Sequence, residues 1–306
     1  MNYAQLWTSQ STYAGATNDL PTLVAIPSAY AAPGSDARLY MFWRGLREDQ
    51  RLFWSQYDGA GHWSPQRVIN GVGSNCRPSG CQVRSGNENV PLLVWRGIEP
   101  GDHQIWWAFG HPEEQWFQNT IPGAGSSHGP SAAYANGRVY AVWKGVPGDQ
   151  RIWQASRAPN EDWAMDPRPI PGVGTSSSSS LLAVGDRLYM FWKGIDGDHT
   201  IYYSWSQPGG QALSWQPQTR VDFVGTTFGP TAADYNGDIV LAWRGSGSDN
   251  NIWVTSMKNG TPPTDQTPIP GRGTAVGPSI AVWNGQLFMA WRGIGDDYTI
   301  YWAKRP

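Results

Sequence analysis

The sequence predicts an all-β fold, a six-bladed β-propeller with four antiparallel strands per blade, and three observations predict it. A Trp-Arg/Lys-Gly element followed six or seven residues later by Asp recurs six times along the chain. The runs between copies have the apolar spacing of short strands, with Gly and Pro breaking any helical period. The two chain ends are complementary, each supplying the part of a copy that the other lacks.

The copies are Trp43-Arg44-Gly45 with Asp49, Trp95-Arg96-Gly97 with Asp102, and Trp143-Lys144-Gly145 with Asp149. The second half adds Trp192-Lys193-Gly194 with Asp198, Trp243-Arg244-Gly245 with Asp249, and Trp291-Arg292-Gly293 with Asp297. The tryptophans are 52, 48, 49, 51 and 48 residues apart in a chain of 306. A period of roughly 40–50 residues is the signature of a propeller or array. The repeat leaves no stretch outside it, so residues 1–306 read as a single domain.

Each copy reads as four strands. In copies three, five and six, Asn136-Gly137, Asn236-Gly237 and Asn284-Gly285 separate two short runs, the strongest two-residue hairpin signal. The run before is strand A (residues 279–282 in the last copy) and the run after is strand B (286–291). Strand B is almost wholly apolar, as in Leu39-Tyr40-Met41-Phe42-Trp43, which suits a strand buried on both faces. The Asp loop follows. Strand C starts on an aliphatic–aromatic pair such as Leu52-Phe53 or Ile105-Trp106. Strand D is expected to begin near Trp63, Trp116, Trp163 and Trp215 and to run into a Gly-x-Gly turn. The last copy stops at strand C, and Trp7-Thr8-Ser9 near the N-terminus reads as its missing strand D. Residues 6–13 are therefore expected to close the ring, which removes exposed sheet edges.

Nineteen Trp exceed ordinary usage and need an explanation beyond core filling. The net charge of −2, with both signs interspersed, argues against nucleic acid or an anionic membrane as the main partner. Cys76 and Cys81 leave a local disulfide open but make no disulfide scaffold. The opening Met1-Asn2-Tyr3-Ala4 has no apolar h-region, so a cytoplasmic protein, or one released without a signal peptide, is expected.

The Arg/Lys–Asp pair has two readings: a brace that caps the hairpin and ties blades together, or half of a polar-ligand site. The position after the strand-C aromatic holds Trp54, Trp107, Gln154, Tyr203, Val254 and Trp302. Its variation suggests a side chain facing solvent or a groove. His103 and His199 follow two of the Asp residues, with no Cys or second His at ligand spacing, so no metal and no cofactor is expected. No Gly-x-Ser-x-Gly elbow, P-loop or His-Glu-x-x-His is present. The six Glu (Glu48, Glu88, Glu99, Glu113, Glu114 and Glu161) stand in no distinctive apolar setting.

Arg38-Leu39-Tyr40, Leu52-Phe53-Trp54 and Tyr57-Asp58-Gly59-Ala60-Gly61-His62-Trp63 together resemble one blade of the fungal and bacterial six-bladed propeller lectins, best known as fucose-binding. The tryptophan density also resembles the tectonin-type lectins. The resemblance implies an Arg in strand B that holds the sugar, matched here by Arg38, Arg138 and Arg187. The Glu it implies late in strand C is replaced by Trp54, Trp107, Gln154, Tyr203, Val254 and Trp302, which departs from the fucose pattern. The Trp-Arg/Lys-Gly element is not part of that family's pattern either.

The expected function is a multivalent, non-enzymatic glycan-binding protein. A sialidase-like glycosidase and a protein-interaction scaffold are the alternatives. A hydrolase would need a deep axial pocket with paired acids, and a scaffold one large apolar face. Sites are expected at the B–C hairpins between blades. Their sets are Arg44, Asp49 and Trp54; Arg96, Asp102 and Trp107; Lys193, Asp198 and Tyr203; and Arg292, Asp297 and Trp302. Lys144 with Asp149, and Arg244 with Asp249, lack the aromatic and should bind more weakly.

Overall fold

Asn-Gly turns fix three of the A–B hairpins. Asn136, Asn236 and Asn284 hold φ of 48°, 55° and 48°, and the glycines that follow hold 78°, 80° and 72°. Positive φ at both positions is the type I′ turn, whose twist matches that of the strands it joins. A computed structural model describes residues 3–28, 37–98, 100–158, 161–163, 167–210, 213–258, 260–263 and 265–306. Glu99 lies outside the described residues.

The strands form six sheets of four, each antiparallel and each in the order A-B-C-D from the axis outward. In blade 1 these are Thr22–Ile26, Arg38–Arg44, Arg51–Gln56 and Arg67–Gly73. Blades 2 to 5 follow over residues 79–125, 131–174, 180–225 and 231–273. Blade 6 takes Pro278–Trp283, Gln286–Arg292 and Thr299–Arg305 from the C-terminus and Ser11–Ala16 from the N-terminus. The ring is closed by the N-terminal strand as expected, but that strand is Ser11–Ala16 and not 6–13. Tyr13 pairs with Ile300. Residues 7 and 8 do a different job. Thr8 N donates to Lys304 O at 2.9 Å, as Ser64 N does to Gln56 O in blade 1, so Trp7 stands where Trp63 stands.

Trp63, Trp116, Trp163 and Trp215 precede strand D instead of opening it, because strand D starts at Arg67, Asn119, Arg168 and Thr219. They lie in the C–D loops. The Gly-x-Gly lies within strand D and is not a turn after it. Its first glycine (Gly71, Gly123, Gly172, Gly271) has φ of 68–74° and sits where strand D slips register against strand C. That combination is a bulge, and a positive φ there favours glycine. Its second glycine receives the aliphatic tip of the next blade's B–C hairpin. A Cβ on Gly73 would stand 3.0 Å from Ile98, and one on Gly273 would stand 2.6 Å from Ile294.

The core lies between blades. The six repeat tryptophans are at most 1% exposed. One cluster joins Phe42, Leu52 and Trp54 of blade 1 to Leu93, Trp95 and Trp116 of blade 2. Another joins Phe288 and Trp302 of blade 6 to Trp43 and Tyr57 of blade 1. Along the axis, a hydroxyl stands at the first or second position of strand A in every blade (Thr22, Ser79, Ser131, Ser180, Thr231, Ser279), and most of these link to a neighbour. Leu23 N donates to Ser279 Oγ at 3.0 Å, Leu181 N to Ser131 Oγ at 2.9 Å, and Thr22 Oγ1 to Pro78 O at 2.6 Å.

Candidate functional site

The B–C hairpins show why the repeat has its residues. The Asp carboxylate caps the loop. Asp149 Oδ1 accepts from Arg151 N and Oδ2 from the Trp153 indole, both at 2.9 Å. The same pattern joins Asp102 to Trp106, Asp198 to the Tyr202 hydroxyl, Asp249 to Trp253 and Asp297 to the Tyr301 hydroxyl, at 2.7–3.0 Å. In blade 1 the aromatic is Phe53, which has no donor, and Arg51 takes both Asp49 oxygens at 2.8 and 2.9 Å. The Arg151 guanidinium, with the hairpin N–H and the Trp153 indole, holds Asp149 down at about 2. The carboxylate lies on the glycine of the repeat. A Cβ on Gly97 would meet Asp102 Oδ2 at 2.0 Å, so no larger residue fits.

The cation goes the other way. Strand pairing sets Arg44 opposite Leu52 and Trp43 opposite Phe53. Alternation then places Arg44 on the face away from Phe53 and its loop Asp. Arg44 Nε donates to Ser74 O at 3.2 Å, in the loop between blades 1 and 2. Arg244 reaches Thr274 O at 3.1 Å, and Arg292 reaches Asn18 O at 3.2 Å. Lys144 and Lys193 donate to Ser127 Oγ and Ser176 Oγ at 2.8 and 2.5 Å. Arg96 meets His103 Nδ1 at 2.9 Å. All six cations are buried, and burial pushes Lys144, Lys193 and Arg244 below their usual range. Each spans a seam between neighbouring parts of the ring.

The aromatic of each expected set also lies apart. The position after the strand-C aromatic was expected to face a groove, and this is corrected. Trp54, Trp107, Tyr203, Val254 and Trp302 are buried, and Gln154 is half-buried. The neighbouring blade's C–D loop covers Trp54, Trp107, Gln154 and Trp302. The Trp302 ring lies 5.6 Å from Tyr57 and 6.1 Å from Trp63. Trp107 lies 6.0 Å from Trp163, and Gln154 Oε1 accepts from the Trp215 indole at 3.0 Å. The aromatic of each set therefore lies apart from the cation and the Asp, and although Lys144 Nζ donates to the Asp149 backbone O at 3.2 Å, the Asp149 carboxylate stays on its own loop. Arg44 and Arg292 border an open hollow near the hairpins, about 630 Å³ in volume, with Arg47, Glu48 and Tyr298.

The outer grooves hold a second population of polar side chains, most of which the repeat does not reveal. Arg38, at the head of strand B in blade 1, meets His111 Nδ1 of blade 2 at 2.8 Å. His111 Nε2 in turn lies 3.1 Å from Glu88 Oε1, and the Trp116 indole donates to His111 O. Arg138, at the matching place in blade 3, donates to Glu161 Oε2 at 2.8 Å. Arg187, in blade 4, lies 4.1 Å from the centre of the Trp205 ring. Arg67 lies 5.4 Å from the Trp54 ring, beside a hollow of about 280 Å³ bordered by Asp58, His62 and Trp63. Phe117, next to Trp116, is 83% exposed. Polar tips and open aromatics at one rim were the missing signal. The C–D loops carried it, with the exposed Phe117 next to the buried Trp116.

Cys76 and Cys81 are free thiols, and burial pushes Cys81 up to about 12. Among the described residues no group of three or more His, Cys, Asp or Glu could hold a metal ion. His199 Nδ1 contacts Thr226 O at 3.1 Å, within the inter-blade loop system.

No family model matches the sequence, and no curated protein does. Solved structures do match it in shape. A variant of the Aleuria aurantia lectin bound to α-methyl-L-fucoside superposes with a TM-score of 0.66 at 11% identity, covering 92% of this chain and 91% of the lectin. AofleA from Arthrobotrys oligospora gives 0.65 at 10% identity, covering 97% and 86%. A GH43_1 enzyme from Xanthomonas citri gives 0.51 at 14% identity, covering 75% and 86%. The chain has the six-bladed fold of the fucose-specific propeller lectins, and at these identities the fold is what is shared.

Proposed function

We propose that this protein is a carbohydrate-binding lectin with several glycan sites in the outer grooves of the ring. The observation that carries the reading is the arginine at the head of strand B in blades 1, 3 and 4. Arg38, Arg138 and Arg187 each extend to an acidic, imidazole or aromatic partner at the rim. A sugar presents hydroxyls to guanidinium and carboxylate groups, and C–H faces to aromatic rings. The blade-head arginines are also the positions that the lectin resemblance marks. The fold-level likeness to fucose-binding propellers supports the reading, as does the ring that repeats the arrangement. Arg44 and Arg292, beside the hairpin hollow, are a further polar surface for the same glycan.

The axial cavity speaks against a paired-acid hydrolase. It is about 310 Å³, and Asp234 is the one carboxylate among the described residues that line it. Each glycan site would be weak, with a dissociation constant of ~0.1–1 mM, or about −4 to −5.5 kcal/mol. Multivalency on a glycan-coated surface can add about 10²–10⁴ in avidity.

The test is a glycan array followed by calorimetry on the best ligand, with wild type and the triple variant Arg38→Ala, Arg138→Ala, Arg187→Ala. The reading expects binding by wild type and a loss of about three sites in the variant, with the β-sheet circular dichroism unchanged. An array with no glycan bound above background would sink it. Full binding by the triple variant would move the sites to the hairpin hollow.

A further inference from the structure

One charge lies on the axis of the ring and takes no part in the grooves. Arg77 leaves the loop between blades 1 and 2, and its backbone N donates to Asp19 Oδ2 at 2.8 Å. Its guanidinium crosses the axis and donates through Nη2 to Ser179 O, next to strand A of blade 4, at 3.1 Å. Arg77 borders both axial cavities. One, about 310 Å³, lies among the six A strands, and the other, about 220 Å³, lies among the loops that enter them. The side chain divides the channel, and the residue is 9% exposed.

The hydrogen bonding around it is incomplete. A buried guanidinium stays ionised, and a buried charge is costly unless paired. Among the described residues, Nε and Nη1 of Arg77 make no hydrogen bond, and the Ser179 carbonyl is the one acceptor for the group. Asp19 is the nearby carboxylate, but its oxygens already accept from Leu20 N at 2.7 Å and Arg77 N at 2.8 Å. The Ser179 hydroxyl is buried with no partner. In the smaller cavity Arg77 faces Ser178 and His128. His128 is held down at about 4 by burial and by the positive charges of Lys144, Arg96 and Arg77, against a contribution from Asp19. It is therefore a neutral imidazole near pH 7 and adds no charge to the cavity. Arg77 and Asp19 are the cation and the carboxylate among the described residues that line this cavity, Lys144 and Arg96 add positive charge within reach of His128, and there is room for a small guest.

We propose that the smaller axial cavity is an anion site, in which the Arg77 guanidinium holds a small oxyanion such as acetate, phosphate or sulfate. The fork of N–H groups left on Arg77 matches two oxygens of one carboxylate or phosphate. Asp19 and the narrow cavity limit the guest to a small ion. A bound anion would tie the loop between blades 1 and 2 to blade 4 and stiffen the ring at its centre. This site is independent of the glycan reading, since none of its residues lies in the outer grooves.

The experiment is thermal melting of the full chain at constant ionic strength, with sodium gluconate replaced stepwise by acetate, phosphate, sulfate or chloride. Ligand that binds only the folded form raises stability by RT ln(1 + [L]/Kd), so the shift should grow logarithmically above Kd. We expect such a rise with at least one oxyanion and a smaller one with chloride. Acetate acting alone would mark a carboxylate site, and phosphate or sulfate acting alone a tetrahedral oxyanion site. In Arg77→Met the rise should vanish while the melting temperature in gluconate is kept or increased, because a buried guanidinium with one hydrogen-bond acceptor is gone. Arg77→Lys keeps the charge and loses the fork, so its oxyanion response should fall towards that of chloride; it serves as the test should the Met variant not fold. Equal curves in all four salts and gluconate, or an undiminished rise in either variant, would overturn the proposal.

Discussion

The hairpin end of the ring and its outer grooves are built from the same repeat, yet they use it in opposite ways. At the hairpins the groups that recur are engaged with their own loop or seam, with Arg44 and Arg292 also bordering the hollow. Each Asp caps its own loop, each glycine receives that carboxylate, and each cation bridges to a neighbouring segment. In the grooves the residues change from blade to blade. Arg38 meets a histidine, Arg138 a glutamate and Arg187 a tryptophan. Strict repetition here marks scaffold, because six equivalent seams need six equivalent braces. Variation marks the surface left free to contact something else.

The largest effect should come from opening the ring. Deleting residues 3–16 removes strand D of blade 6 together with the Trp7 segment that Arg272 and Arg305 hold through Thr8 O and Gln5 O. The deletion is expected to lower the melting temperature by about 10 °C or more, or to yield oligomers through the unpaired edge, as scanning calorimetry and light scattering would report. An unchanged, monomeric product would mean that closure adds little.

Trp107→Ala comes next and separates the two regions most directly. As a packed residue under Trp163 and Arg157 it should cost about 3–5 kcal/mol in a urea titration. A loss of glycan binding at full stability would return Trp107 to the binding surface.

Asp149→Asn tests the hairpin braces at roughly 1 kcal/mol. The sign with pH follows from the Asp149 carboxyl, whose value in the folded protein, about 2, lies below its unfolded value of about 4. Its contribution is present above the unfolded value and is lost as pH falls through the folded one. Wild type should therefore lose part of its advantage over the Asn variant between about pH 4 and pH 2. A constant difference across that range would rule out the carboxylate as the brace.

The smallest structural effect is expected from Arg187→Ala, within about 0.5 kcal/mol, because its ring partner Trp205 stays packed on the blade. Glycan titration should nevertheless show one weakened site. An equal loss in stability and binding would make this arginine a brace like the rest.

The sequence by itself determined the number of blades, the A–B hairpins, the buried strand B and the exchange of an N-terminal strand into the last blade. All of these rest on local signals: a period, a turn that demands positive φ at Asn-Gly, and runs of apolar residues. The presence of a cation, an aspartate and an aromatic in each copy was equally legible. Their arrangement was not. Alternation along a strand says which residues share a face, but not what will cover that face. Arg44 and Asp49 are five positions apart, and only the pairing of strands B and C sets Arg44 on the face away from Phe53, so that its Nε reaches Ser74 O while the Asp49 carboxylate turns to Arg51. Trp54 and Trp302 read as groove residues because their position varies in polarity. The loop that buries Trp302 belongs to the neighbouring blade, and its place depends on how the ring closes. Arg77 stood outside the repeat for the same reason: a charge on the axis has partners in the loops of blades 1 and 4, set together only by six-fold packing.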